Sequence, residues 1–268
     1  MLGKNNGDRY NDGEKNVWTG RLIMGRQYWL GLLTACSLLS VVKPIAALDQ
    51  EEHWQQTMQR AYNQSVEDAA VAEISEFVPL TPIVPNNDQL TWREIDGEPH
   101  VLVVTWTSWD GYDSLVGTST TLGREIWTTP APQVQQFVAE IQPDPDILAL
   151  RLEQYLGLPP NNGKTKWVEL WVKPEDLFRP CPDIDVTDTQ CDLSFPATAT
   201  PEHRVWFVNL YLSSYGDRGY PWTRLGYTYD WGAVDTEVGA NELVVRAGAT
   251  VLIEGVTENL DYFSLPTE

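Results

Sequence analysis

The sequence predicts an α+β fold with a mainly antiparallel sheet and a few packed helices, preceded by a helical N-terminal segment. Three observations carry this. Residues 49–77 hold no Gly or Pro and place Trp54, Met58, Tyr62, Val66, Ala70 and Ile74 at four-residue steps, which reads as one apolar helix face. The stretches HVLVVTWTSW from His100 and TKWVELWVKP from Thr165 have the β-branched and aromatic density of strands. Strand-like and helix-like blocks are mixed along the chain, and no repeat of fixed period is present.

In chain order, Pro79, Pro82 and Pro85 break the first helix and make residues 78–87 a linker, or an extended arm laid across the next domain. LTWREI and HVLVVTWTSW flank Asp96-Gly97-Glu98-Pro99, a tight turn between two strands. GTSTTLGREIWTTP supplies another strand or two. Pro132 suits the first turn of a short helix through Ile141, with Val134, Phe137, Val138 and Ile141 inward. A second helix, ILALRLEQYLG, ends at Gly157 with Pro159 beyond. TKWVELWVKP is the next strand, and residues 174–201 form a long loop rich in Pro and Asp. EHRVWFVNLYLSSYG reads as a helix with Val205, Trp206, Leu210 and Leu212 or Ser213 inward. NELVVRAGATVLIEGV closes the chain as a hairpin whose turn holds Ala247-Gly248.

The 18 Lys and Arg against 38 Asp and Glu give a net charge of -20, so no basic field exists to attract a phosphate backbone and nucleic acid is excluded as a partner. The 12 Trp, 11 Tyr and 6 Phe exclude a chain disordered throughout.

Arg21 and Arg26 precede the apolar run 28–42, and Lys43-Pro44-Ile45-Ala46-Ala47 follows. This charged, apolar, small-residue order is that of a secretory signal peptide. The run is shorter than the roughly 20 residues of a bilayer-crossing helix, so no permanent span is expected, and cleavage after Ala47 sends the protein to the periplasm or outside the cell. Met24 would start a leader of ordinary length, 24–47, which makes the residues before it a mis-assigned start. Leu33-Thr34-Ala35-Cys36 fits a lipobox, with lipidation at Cys36 as the alternative. The chain therefore divides into a leader (1–47), a helix and Pro-rich linker (48–89) and an α+β domain (90–268). Cys181 and Cys191 share one polar loop of an exported chain and read as a disulfide, worth about 2–3 kcal/mol for so small a ring.

HExxH, GxSxG, CxxC and GxGxxG are absent from the sequence. His53 and His203 fall on exposed helix faces by pattern, His100 opens an apolar strand, and no triad signature joins them. Asp183, Asp185 and Asp188 alternate as in a calcium loop, but Gly is missing from the sixth position and Glu from the twelfth. No cofactor is expected, with an irregular Ca²⁺ site on these carboxylates as the alternative. Alternation in TKWVELWVK places Trp167, Glu169 and Trp171 on one face, with rings to stack on and a carboxylate between them. That is chemistry for a sugar or a cation. With YPWTRLGYTYDWG, the candidate ligand-binding set becomes Trp167, Glu169, Trp171, Trp222, Arg224, Tyr227 and Asp230. The competing reading makes the same rings core beneath a helix.

These features describe an exported binding or interaction module of the cell envelope, its partner a neutral or cationic small molecule, a glycan or an envelope protein. The alternative is an enzyme, first a glycan hydrolase with facing carboxylates about 5–9.5 Å apart. The closing NELVVRAGATVLIEGVTE, a Glu leading a strand and then a turn into a second strand, is similar to the end of ADP-ribosyltransferase domains. The resemblance implies that Glu242 would be catalytic; Ala240 stands where that family has Glu or Gln.

Overall fold

The computed structural model describes residues 45–216 and 218–263, with side chains from Asp49 onward. The apolar run 28–42, the start at Met24 and the lipobox at Cys36 lie outside the described residues. The elements are α1 (Ile45–Ala69), β1 (Trp92–Ile95), β2 (Glu98–Thr107), β3 (Ser119–Thr121), β4 (Ile126–Pro130), α2 (Ala131–Ile141), α3 (Leu148–Tyr155), β5 (Lys166–Val172), β6 (Leu177–Phe178), α4 (Pro201–Ser214), β7 (Tyr227–Tyr229), β8 (Val238–Asn241), β9 (Leu243–Val245), β10 (Thr250–Glu258) and α5 (Asn259–Tyr262). The fold is α+β, and the pairings within its eight-stranded sheet are antiparallel. Among the described residues no helix is long and apolar enough to cross a membrane.

The sheet runs β3-β10-β5-β2-β4-β9-β6, with β1 added beside β2, and β7 pairs with β8 separately. Asp96 (φ 54°) and Gly97 (φ 82°) make the β1–β2 turn, both in the left-handed region that a tight hairpin requires. The closing segment departs from the expected hairpin. Its turn is present, closed by Ala249 N–H donating to Arg246 O at 3.2 Å, but β9 pairs with β4 and β6 while β10 pairs with β3 and β5. Four strand steps separate β10 from β9, roughly 19 Å in a flat sheet, whereas a β-turn holds its end Cα atoms within about 7 Å. The sheet therefore curls, and this turn is the corner where its two arms meet.

Inside the curl, Val101, Val103, Val168, Leu170, Val172, Leu243, Val245, Val251 and Ile253 form one cluster, capped by Ile83, Tyr112, Leu122 and Val186. The alternation expected of β5 holds, and its other face is buried as well. Trp106, Trp167 and Trp171 lie beneath α2, α3 and α5 with Val134, Leu152 and Tyr262. Trp167 stacks between Trp106 (5.3 Å) and Tyr262 (5.4 Å).

Three helical faces differ from expectation, the smallest departure being Ile141 at the end of α2, which is exposed rather than inward. A four-residue step advances about 40° beyond a full turn of a 3.6-residue helix, so the positions from Trp54 to Ile74 cannot share one face. Among the described side chains of this helix only Tyr62, Ser65, Val66 and Ala69 are buried, and the helix stops at Ala69, where the Arg224 guanidinium donates to the carbonyls of Ala69 and Ala70. In α4 the inward positions are His203, Trp206, Phe207, Leu210 and Ser214, while Val205 and Leu212 are exposed. His203, expected outside, is buried with Nε2 at 2.8 Å from Cys181 O.

Residues 78–85 form an extended arm on the domain. Leu80 and Ile83 are buried, and their N–H groups donate to Thr189 O and Val186 O. The long loop carries the Cys181–Cys191 disulfide, with Cα atoms 6.1 Å apart. At its centre the buried Arg179 guanidinium donates to the carbonyls of Thr81, Asp185, Val186, Asp188 and Gln190 and to Asp188 Oδ1.

Two stability predictions follow from this packing. Trp171→Ala should lower unfolding free energy by about 3–5 kcal/mol, measured by denaturant titration; a loss under about 1 kcal/mol would mean the indole is not core. Arg179→Met leaves several carbonyls without a donor at about 1–3 kcal/mol each. The loss should reach at least about 3 kcal/mol, and a near-neutral result would remove Arg179 from its central place.

Candidate functional site

β2 and β4 pair only at Val103–Pro130 and Val104–Thr129. Beyond that point β4 turns to pair with β9 and β2 stays with β5, so the sheet forks. A cavity of about 590 Å³ occupies the fork, within the range of small-molecule pockets. Its walls are residues 104–107 of β2, Ile126–Thr129 of β4, Leu210 and Ser214 of α4, and the segment Tyr220–Trp222. Trp127 stacks on Trp206 at 6.3 Å, Trp206 meets Trp222 edge-on, and Trp206 Nε1 donates to Glu125 Oε2 at 2.8 Å. These contacts tie α4 to β4 across the cavity.

Glu242 also lines the cavity. It lies where the chain passes from β8 to β9, and its backbone is fixed by Glu242 N–H donating to Gly226 O at 2.8 Å. Leu243 and Val245 point into the curl, so strand alternation turns Glu242 to the opposite face. Its Oε2 is buried and has no hydrogen-bond partner among the described residues. Burial pushes the carboxyl up to about 8, so near neutral pH the group is mainly the uncharged acid, able both to donate and to accept. Trp167 Nε1 is a second buried atom without a partner among the described residues, and Trp167 borders the same cavity.

The structure distributes the sequence-predicted residues over several places. Trp167, Trp222 and the alternative residue Glu242 meet at the cavity. Trp167 and Trp171 are 1% and 6% exposed, so the partly exposed aromatic face expected on β5 is a core face, covered by helices that local alternation cannot reveal. Glu169 accepts from Tyr262 Oη at 3.0 Å, and burial raises its carboxyl. Arg224 closes the end of α1, and Tyr227, fully buried, donates to Glu76 O. Asp230 is held by both guanidinium nitrogens of Arg151 at 2.9 and 2.7 Å. It borders a second, shallower hollow with Asp68, Asp235 and Glu237, where burial and then the charges of Glu76 and Asp68 push Glu237 up to about 7.

In the acidic loop, Asp183 Oδ1 accepts from Asp185 N–H, Asp185 Oδ1 from Thr187, and Asp188 Oδ1 from Arg179 at 2.6 Å. The three carboxylates are thus engaged in local turns around a guanidinium, and among the described residues no cluster of three or more metal-ligating side chains forms.

Pattern reading missed Arg124, Glu125, Trp127, Lys164 and Tyr220, all on the cavity wall. Arg124, Glu125 and Trp127 lie in or beside a strand that was recognised, but the pairing that opens the fork is long-range. Comparison with protein families, with curated proteins and with solved structures finds no match.

The Glu242 carboxyl gives a pH prediction. Its affinity for the proton rises from 4.5 to about 8 on folding, so its contribution to stability is complete below about pH 4.5 and is lost as pH rises through 8, at about 1.4 kcal/mol per unit inside that window. Wild type should lose melting temperature relative to Glu242→Gln between about pH 5 and 8. A difference that stays constant with pH would contradict the burial of this carboxyl.

Proposed function

We propose that the protein is a binding module that takes a small, ring-bearing molecule into the β2/β4 fork, with Glu242 as its hydrogen-bonding carboxyl. The observation that carries this reading is Glu242 Oε2, buried at the wall of a 590 Å³ cavity with no partner among the described residues. A buried polar atom left without a partner costs free energy, and such atoms concentrate where a ligand completes them. The aromatic walls supply stacking surface for a sugar or planar ring. We further propose that it works outside the cytoplasm, supported by the Cys181–Cys191 disulfide, which persists in oxidising compartments, and by the leader-like N-terminus. An envelope glycan is one source of such a ligand.

A second reading, a carboxyl-based glycan hydrolase, is favoured by one observation: Glu125 and Glu242 line the same cavity, and an acid held protonated by burial suits proton donation to a leaving group. ADP-ribosyl transfer, the activity implied by the closing segment, would use the same Glu242.

Indole N–H signals provide the test. In a fragment screen by NMR, ring-bearing fragments should shift the signals of Trp127, Trp167 and Trp222 and leave exposed Trp54 unmoved, and Glu242→Leu should weaken binding about tenfold. Shifts confined to other tryptophans would refute the cavity as the site. Hydrolysis of aryl glycosides that disappears in Glu242→Gln and Glu125→Gln would replace the binding reading with the enzymatic one.

A further inference from the structure

The two prongs of the fork each bring one cation to the cavity. On the β2 side, Lys164 Nζ donates to Trp106 O at 2.7 Å, which uses one of three ammonium donors. Lys164 is half-buried and makes no ion pair among the described residues, and burial lowers its pKa. Its near neighbour in sequence shows the contrast: Lys166 Nζ is held by Asp110 and Asp113, both at 2.8 Å. On the β4 side, Arg124 lies exposed on the cavity wall and likewise makes no ion pair among the described residues. The adjacent carboxylate, Glu125, is turned to Trp206 Nε1.

In a chain with 38 acidic residues, these two cations are without carboxylate partners on one cavity; of the two carboxyls that line it, Glu125 accepts from Trp206 Nε1 and Glu242 is kept mainly uncharged by burial. Trp167, whose ring also borders the cavity, carries a third donor, Nε1, that is buried without a partner among the described residues, and an indole N–H cannot accept. Donors in excess of acceptors call for a ligand that brings acceptors, and an ammonium held in a low-dielectric site gains most from an acceptor with negative charge.

We infer that the molecule taken into this cavity carries an anionic group, a carboxylate or a phosphate, held between Lys164 and Arg124 with its ring against the tryptophans. This rests on the cavity reading proposed above and reverses the ligand charge expected from the sequence. Long-range attraction plays no part in it, because the chain as a whole is strongly negative; recognition is local and short-range.

Calorimetric titration with four matched probes tests it: naphthyl phosphate, naphthylacetate, naphthylmethanol and naphthylmethylamine, at a pH near 6. At least one anion should bind about tenfold more tightly than the alcohol, with the amine weakest, and the tighter anion tells phosphate from carboxylate. Lys164→Gln and Arg124→Gln should each cut the anion's advantage over the alcohol about threefold or more. Arg124 is exposed, so its variant carries the test if Lys164→Gln does not fold. Alcohol or amine binding as tightly as both anions would overturn the anionic ligand and leave the cavity reading standing. No binding by any probe would overturn both.

Discussion

The Arg179 guanidinium organises the part of the chain that has no regular hydrogen-bonding pattern. An irregular segment that runs into the interior carries carbonyl groups that water no longer reaches, and each needs a donor. Arg179 supplies donors to five carbonyls and one carboxylate, drawn from the loop around residues 185–190 and from Thr81 of the arm. Burial disfavours its charge and Asp188, Asp185 and Asp183 oppose that effect. Other contacts hang on this hub. Thr81 N–H donates to Asn241 Oδ1, one residue from Glu242; Trp222 Nε1 donates to Pro180 O; and His203 on α4 meets Cys181 O. The α4 side of the cavity is thereby positioned by the loop as well as by its ring contacts with β4 and β6.

The sheet contributes the opening. Its strands are well paired where two faces must be buried, and the β2–β4 ladder stops after two residue pairs. Curling requires that some pairing be given up, because strands drawn around a corner cannot remain in register with both neighbours. The interruption falls where α4 and the Tyr220–Trp222 segment cover the gap, so the result is a lined cavity instead of a bare edge.

Two buried carboxyls show how differently this chain treats the same chemistry. Asp230 has a bidentate guanidinium and the N–H of Gly232, so both of its oxygens are engaged by donors from the protein. Glu242 Oε2, with no protein donor among the described residues, destabilises the fold as pH rises and retains its hydrogen-bonding capacity. Sites that keep such capacity do so at the expense of stability.

Local periodicity and chain chemistry determined much of this protein from sequence alone. The alternation of β5, the turn at Asp96-Gly97, the end of α3 near Gly157 and the Cys181–Cys191 link depend on residues close in the chain, and each is found. The tertiary structure decided what lies on the far side of every face. Val205 and Leu212 are apolar yet outside, because α4 docks through His203, Trp206 and Leu210. Trp167 and Trp171 are core because α2, α3 and α5 cover β5. Glu242 was visible as the residue leading the last strands, but its burial, and its meeting with Lys164 and Arg124, arise from pairings across the whole chain. Side-chain periodicity is set within a few residues, whereas the partner of a face is set by long-range packing, and that is why the elements were legible and the site was not.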